Sequence, residues 1–285
     1  MEWALLTKAV LRERRMSLDN LTQKKAEFFA QGWCQFESDP DLLKWIEFAL
    51  PAAQSVVSEP DNAKWLRCGE TWFAGVNILP NASNGSVGFG PALGGDAVNF
   101  IARALDLSKF AWDKAQVSIC YPGYPQRMLI EKEAAFKFRH DRDAAHVDGL
   151  LPEGLNRRRF LREWHGFVLA IPLLDYDKDA SPFVIWEGSH EVVRSAFESL
   201  FQNCRPKDWP SVDVTEVYHD IRREIFETCR RVEVVAKPGE AYLVHRLALH
   251  GVAPWKAAQD STCQQRMICY FRPETGDIQQ WLDAP

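Results

Sequence analysis

The chain has 285 residues, 46% of them hydrophobic and 26% charged, a balance that supports a packed core and excludes a disordered or fibrous protein. A formal charge of −5 gives no electrostatic case for nucleic acid or an anionic membrane surface, and no apolar run approaches the roughly 20 residues of a membrane span. Seven cysteines, odd in number and without a Cys-x-x-Cys pair, read as reduced thiols rather than a disulfide framework or a zinc site. With no secretory signal at the N-terminus, the expected compartment is the cytoplasm and the expected partner a small molecule.

Residues 1–31 read as helix, with Leu5, Leu6, Val10 and Leu11 on one stripe and Gly32 as the stop. A second helix is expected from Asp39, its N-cap, with Pro40 in the first turn and Pro51 beyond its end. Residues 58–95, rich in Gly, Asn, Ser and Pro, read as loops around short strands, and a helix follows from Asp96 to Leu105. From Gln116 the pattern turns to β: Gln116 to Tyr121, the alternating Phe136 to His140, a long apolar run from Glu163 to Leu174 expected to lie centrally, and Ser181 to His190. Val192 to Arg230 carries helical periodicity, including Val214, Val217, Ile221 and Ile225, and reads as an insertion packed outside a barrel. Arg231 to Ala236, Ala241 to His250 and Arg266 to Phe271 return to β. Helices first and then seven or eight strands predict one domain over 1–285, mostly β with flanking helices: a double-stranded β-helix or jelly roll of about 116–272, after an N-terminal helical part of 1–115.

The chemistry is organised around Arg142-Asp-Ala-Ala-His-Val-Asp-Gly149. Extended backbone puts residues i and i+2 on one face, so His146 and Asp148 can address one ion from a strand end. With a distant His, such a pair forms the two-histidine, one-carboxylate triad that holds Fe(II) and leaves open positions. A His-x-Asp pair is too short to stand alone, and three downstream stretches supply its context.

Phe183-Val-Ile-Trp-Glu-Gly-Ser-His190 resembles the strand and Pro-Gly-Ser-His turn of the phytanoyl-CoA dioxygenase-like family, with Glu187 in place of Pro. The stretch from Lys237-Pro-Gly239 to His250-Gly251 resembles that family's "Gly-Asp, apolar run, His" strand, and Gln265 to Arg272 its last strand. Phe28-Phe-Ala-Gln-Gly-Trp33 resembles more loosely the end of its N-terminal helix. The resemblance, over about 116–272, implies an Fe(II)- and 2-oxoglutarate-dependent dioxygenase that takes O2, 2-oxoglutarate and a small-molecule substrate. It implies His146, Asp148 and His250 as iron ligands and Arg266 as the anchor of the 2-oxoglutarate carboxylate, with Arg272, of the same strand parity, as the alternative anchor. Since related halogenases replace the carboxylate ligand by a small residue, Asp148 favours hydroxylation, or desaturation, over halogenation.

Other residues carry plainer expectations. His245, read as lying on the same strand as His250 with opposite parity, is not expected to ligate. His190 is expected to make a turn hydrogen bond and His165 to sit in the barrel. Lys137 and Arg139 could reach the cosubstrate from a neighbouring strand or form a solvated charged face, Trp164 is expected in core packing rather than as a pocket wall, and Arg157-Arg158-Arg159 could receive an anionic substrate or be a solvated face. Two rival functions remain: a non-catalytic barrel that binds a metal or small ligand, and a Zn(II) hydrolase on the same three ligands, which leaves Arg266 unexplained.

Overall fold

The computed structural model describes residues 21–107, 110–129, 131–258, 260–274 and 276–284. The expected helix over residues 1–20 lies outside them; helix α1 is described over 21–31 and ends at Gly32. Strand β1 (Trp33–Phe36) follows, then α2 (Pro40–Ser58), a 3₁₀ turn (Pro60–Trp65), the short β2 (Leu66–Arg67) and β3 (Trp72–Phe73), and α3 (Asp96–Ala104). One carboxylate sets both α2 and α3: an Asp39 oxygen accepts from the Asp41 N–H at 2.8 Å and the other from the Asp96 N–H at 2.7 Å. Helix α2 does not stop before Pro51 but runs through it, because its buried face of Leu42, Trp45, Ile46, Ala49 and Ala53 keeps helical spacing across the proline. Packing of that face outweighs one missing backbone bond.

The β-rich part holds β4 (Gln116–Cys120), α4 (Glu133–Asp141), the hairpin β5 (Leu150–Glu153) and β6 (Arg158–Leu161), β7 (Phe167–Pro172) and β8 (Phe183–Trp186). Then come α5 (Ser189–Phe201), a 3₁₀ turn (Pro206–Ser211), α6 (Thr215–Thr228), β9 (Arg231–Val234), β10 (Ala241–His245), β11 (His250–Val252), β12 (Arg266–Phe271) and α7 (Ile278–Asp283). Seven strands form one sheet in the order β1-β10-β7-β12-β4-β3-β2, with the expected central β7, and three form a second in the order β11-β8-β9; every pairing is antiparallel.

Strand alternation sorts the large sheet into two faces. Val117, Ile119, Leu169, Ile171, Leu243, Met267, Cys269 and Phe271 pack on the helical layer of Trp45, Ala49, Phe100 and Ile101. Val168, Ala170, Tyr242, Val244, Ile268 and Tyr270 point the other way and meet Phe183, Ile185 and Val234 of the small sheet. The outer face of the small sheet, Val184 and Trp186, is covered by Val193, Phe197, Tyr218, Ile221 and Ile225 of α5 and α6. Both sheets are thus buried on both faces, which is why β7 and β12 read as unbroken apolar runs. The result is the expected jelly roll with a helical insertion packed outside it. Among the described residues, no helix is long and apolar enough to cross a membrane.

Two expected strands are different elements. Phe136 to His140 lies in α4, whose alternating apolar residues are helix-compatible over so short a span. The run Ala241 to His250 is not one strand: β10 ends at His245, the His245 ring Nδ1 accepts the Leu247 N–H at 3.1 Å, and the chain crosses to the small sheet to begin β11 at His250. Burial of both sheets makes the crossover residues Leu247, Ala248 and Leu249 as apolar as the strands they join.

Candidate metal centre

The His-x-Asp stretch is placed by the turn that precedes it. After α4, Asp143 and Ala144 both adopt φ of 53°, in the left-handed region. Buried Asp143 is held there by a two-pronged ion pair with Arg231 of β9, at 2.7 Å from Nε and 2.9 Å from Nη2. Its carbonyl accepts the Val252 N–H at 2.8 Å. Gly251 makes this approach possible, since a Cβ there would lie 2.1 Å from the Asp143 carbonyl oxygen. His146 and His250 then exchange both backbone bonds, at 2.8 and 3.0 Å. Directly opposed residues share a face, so the two rings meet with centroids 4.6 Å apart, and Asp148 joins them from two residues on.

Each imidazole is oriented by a backbone carbonyl: Nδ1 of His146 lies 2.9 Å from the Ala144 oxygen and Nδ1 of His250 2.9 Å from the Ala248 oxygen. A carbonyl only accepts, so Nδ1 carries the proton in both rings and the Nε2 lone pairs are free to ligate. Those atoms face Asp148, at 3.4 Å to Oδ1 from His146 and 3.7 Å to Oδ2 from His250. The three ligand atoms lie within 4.8 Å of one another, the one group among the described residues able to hold a metal.

Protonation states suit that role. Burial pushes the His250 pKa down to about 4, keeping the imidazole neutral. Burial opposes ionisation of Asp148, but the Arg272 guanidinium beside it holds its carboxyl well below the usual range. The Phe183 ring stacks on His250 with centroids 5.5 Å apart, backing the ligand with apolar surface. A cavity of about 190 Å³ runs from the triad into the space between the sheets, lined by Trp72, Ser118, Val168, Phe183 and Tyr270, with Arg272 beside the triad.

Arg266 begins β12 opposite Cys120 and shares its inward face with Ile268 and Tyr270. It is 0% exposed, yet no carboxylate meets it among the described residues. Its Nη2 donates to the Tyr270 hydroxyl at 2.8 Å and its guanidinium lies 5.7 Å from the Tyr176 ring centroid, while Nε and Nη1 are buried without any acceptor. Arg272 sits differently. Its Nη1 lies 3.4 Å from Asp148 Oδ1, and its backbone N–H is taken by both oxygens of Asp113 at 3.1 Å. Six residues at strand rise separate the two arginines by roughly 20 Å of backbone.

The remaining singled-out residues fall away from the triad. His245 contacts Arg194 at 3.2 Å and the His190 ring at 4.8 Å. His190 bonds the Phe29 carbonyl at 3.0 Å, His165 approaches Glu163 at 3.2 Å, and Trp164 packs in the outer cluster. Lys137 and Arg139, on α4 rather than a strand, pair with Glu133 and Glu131. Arg157 occupies the β5–β6 turn, Arg158 pairs with Asp213 and Glu216, and Arg159 lies over the Tyr218 ring. Three supports escaped sequence reading: the Asp143–Arg231 clamp, the Arg272–Asp148 pair, and the Tyr218 hydroxyl of α6, which accepts the N–H of Val147, the residue between the two ligands, at 3.1 Å. The cavity-lining Ser118 was also missed, although its alternation with Gln116 and Cys120 along β4 carried a signal.

No protein-family model matches the chain, and no curated protein matches it. Solved structures do. The non-heme alpha-ketoglutarate-dependent epimerase SnoN from nogalamycin biosynthesis is 14% identical over 89% of this chain and 81% of its own, with a TM-score of 0.43. The corresponding carbocyclase SnoK is 14% identical over 88% and 82%, with a TM-score of 0.44. EctD from S. alaskensis, solved with bound Fe, is 14% identical over 89% and 76%, with a TM-score of 0.45.

Proposed function

We propose that the chain is a single-domain, non-haem Fe(II)- and 2-oxoglutarate-dependent dioxygenase of the phytanoyl-CoA dioxygenase-like kind that hydroxylates a small molecule. The observation that carries this reading is the pairing of a His146, Asp148, His250 group with an otherwise unexplained buried cation, Arg266. Two imidazoles held through Nδ1 with Nε2 turned toward an ionised carboxylate suit Fe(II), and no cysteine joins them as a soft ligand. The two orphaned nitrogens of Arg266 suit a carboxylate, since a buried guanidinium without acceptors is costly and an organic acid completes its fork. A zinc hydrolase would use the triad and leave Arg266 without a role.

When bound, iron, 2-oxoglutarate and O2 supply the oxidising power that converts a substrate C–H bond. The chain's own residues do the rest. Ala144 and Ala248 carbonyls fix the imidazoles in the ligating tautomer, and Arg272 keeps Asp148 ionised. Arg266 and Tyr270 orient the cosubstrate's far carboxylate. Trp72, Val168 and Phe183 exclude water from the cavity. Retention of the carboxylate ligand favours hydroxylation or desaturation. The test is anaerobic loading with Fe(II) and 2-oxoglutarate, then O2, reading succinate. The wild type should release succinate, faster with substrate, and His146→Ala should not. Equal succinate from both would defeat the proposal, and none from an iron-loaded wild type would leave the binding-protein reading.

A further inference from the structure

Helices α4 and α6 face each other across a groove of about 480 Å³, lined among others by Phe138, Arg142, His219, Arg222 and Phe226 and apart from the metal cavity. Its two central cations are held by aromatic rings. The Arg222 guanidinium lies 4.6 Å from the Phe138 centroid and 4.7 Å from that of Tyr218, and Arg142 lies 4.7 Å from that of Phe226. Neither pairs with a carboxylate among the described residues, and Arg222 Nε is buried without an acceptor. Glu216, which also lines the groove, accepts from Arg158 at 2.7 Å, and nearby Asp220 pairs with Arg223. Burial first and then Arg222 lower the His219 pKa, and burial first, with Arg159 adding, lowers that of Arg222.

Ring faces fix the plane of a guanidinium without consuming its edge N–H donors. Two forks held in this way, with donors to spare, match what a phosphate group takes up through paired hydrogen bonds. Neutral His219 adds a donor or acceptor on the same wall. We infer that this groove is a binding site for a phosphate-bearing small molecule, gripped by Arg142 and Arg222. The site is independent of the iron and 2-oxoglutarate reading, since it shares no residue with the metal cavity.

The test is calorimetric titration of pyrophosphate into the full chain, freed of metal so that the triad cannot take the anion up through an ion. One saturable site should appear and weaken as salt is raised. Arg142→Gln and Arg222→Gln should each weaken it about tenfold or more, and Arg266→Leu should leave it unchanged. Arg222 is wedged between two rings and its variant could unfold; Arg142, exposed at the end of α4, keeps the question answerable. Wild-type affinity in Arg142→Gln would overturn the assignment. So would loss of binding in Arg266→Leu, which would place the anion at Arg266, or no heat up to about 10 mM pyrophosphate.

Discussion

Replacing Arg266 by leucine separates a ligand-binding cation from a structural one, because the two roles predict different stabilities. In the ligand-free protein the side chain leaves Nε and Nη1 buried without acceptors, at about 1–3 kcal/mol each. Against that stand one bond to Tyr270, about 1.5–3 kcal/mol for a charged donor, and the contact with Tyr176, about 0.5–2 kcal/mol. The two sides nearly cancel. Ligand-free Arg266→Leu should therefore melt within a few degrees of wild type, at about 2–4 °C per kcal/mol for a chain of this size. Breaking an ordinary buried ion pair would instead cost about 3–5 kcal/mol. Ligand addition should then split the two proteins. At a 2-oxoglutarate concentration about 100 times its Kd, the Mn(II)-loaded wild type gains about 2.7 kcal/mol. An affinity loss of about 30-fold or more, the low end for removing one partner of a buried charged pair, leaves the variant a gain under about 1 kcal/mol. Calorimetric melting of both proteins, with and without 2-oxoglutarate, reads all four states. A variant that loses about 3–5 kcal/mol without ligand yet keeps the full 2-oxoglutarate shift would refute the assignment and make Arg266 structural.

Three further substitutions probe the supports of the triad. Arg272→Leu strips buried Asp148 of its cationic partner, so the metal-free protein should lose about 3 kcal/mol, and Co(II) should raise its melting temperature more than it raises that of wild type; an equal Co(II) shift would show that the pair at 3.4 Å carries no weight. Tyr218→Phe leaves the buried Val147 N–H without its acceptor and should cost about 1–3 kcal/mol in urea unfolding and weaken Co(II) binding; unchanged Co(II) affinity would detach the insertion from the metal motif. Gly251→Ala drives a Cβ to 2.1 Å from the Asp143 carbonyl and should part His146 from His250, destabilising by about 1–3 kcal/mol and lowering Co(II) affinity more than tenfold; a crystal structure with the backbone bridge intact would contradict the packing argument.

Which parts of this were readable from residues alone follows from the range of the forces involved. Asp39-Pro40 announced a helix start because capping is local, and the apolar run around β7 announced a central strand because burial on both faces leaves a contiguous trace. The same trace misled at Ala241 to His250, where the crossover between sheets is buried too and carries no Gly or Pro to mark it. Phe136 to His140 shows the limit of a five-residue pattern, since two apolar residues spaced by two are too few to tell a strand's alternation from a stretch of helix. At the site, His146 and Asp148 stood out because their spacing encodes a shared face. The pairings of Arg231 with Asp143, 88 positions away, and of Arg272 with Asp148, 124 away, could not be read, because they exist only once two sheets and an insertion are assembled.

The proposed use of His146, Asp148 and His250 for Fe(II) and of Arg266 for a 2-oxoglutarate carboxylate is tested by anaerobic absorption titration. Fe(II) is added first and 2-oxoglutarate second, and the metal-to-ligand charge-transfer band of the chelate is followed in wild type, His146→Ala, Arg266→Leu and Arg272→Leu. A saturable band is expected in wild type, none in His146→Ala, a band in Arg266→Leu only at about 30-fold or more 2-oxoglutarate, and a near-normal midpoint in Arg272→Leu. No band in an iron-loaded wild type, or a midpoint displaced in Arg272→Leu and normal in Arg266→Leu, would contradict it.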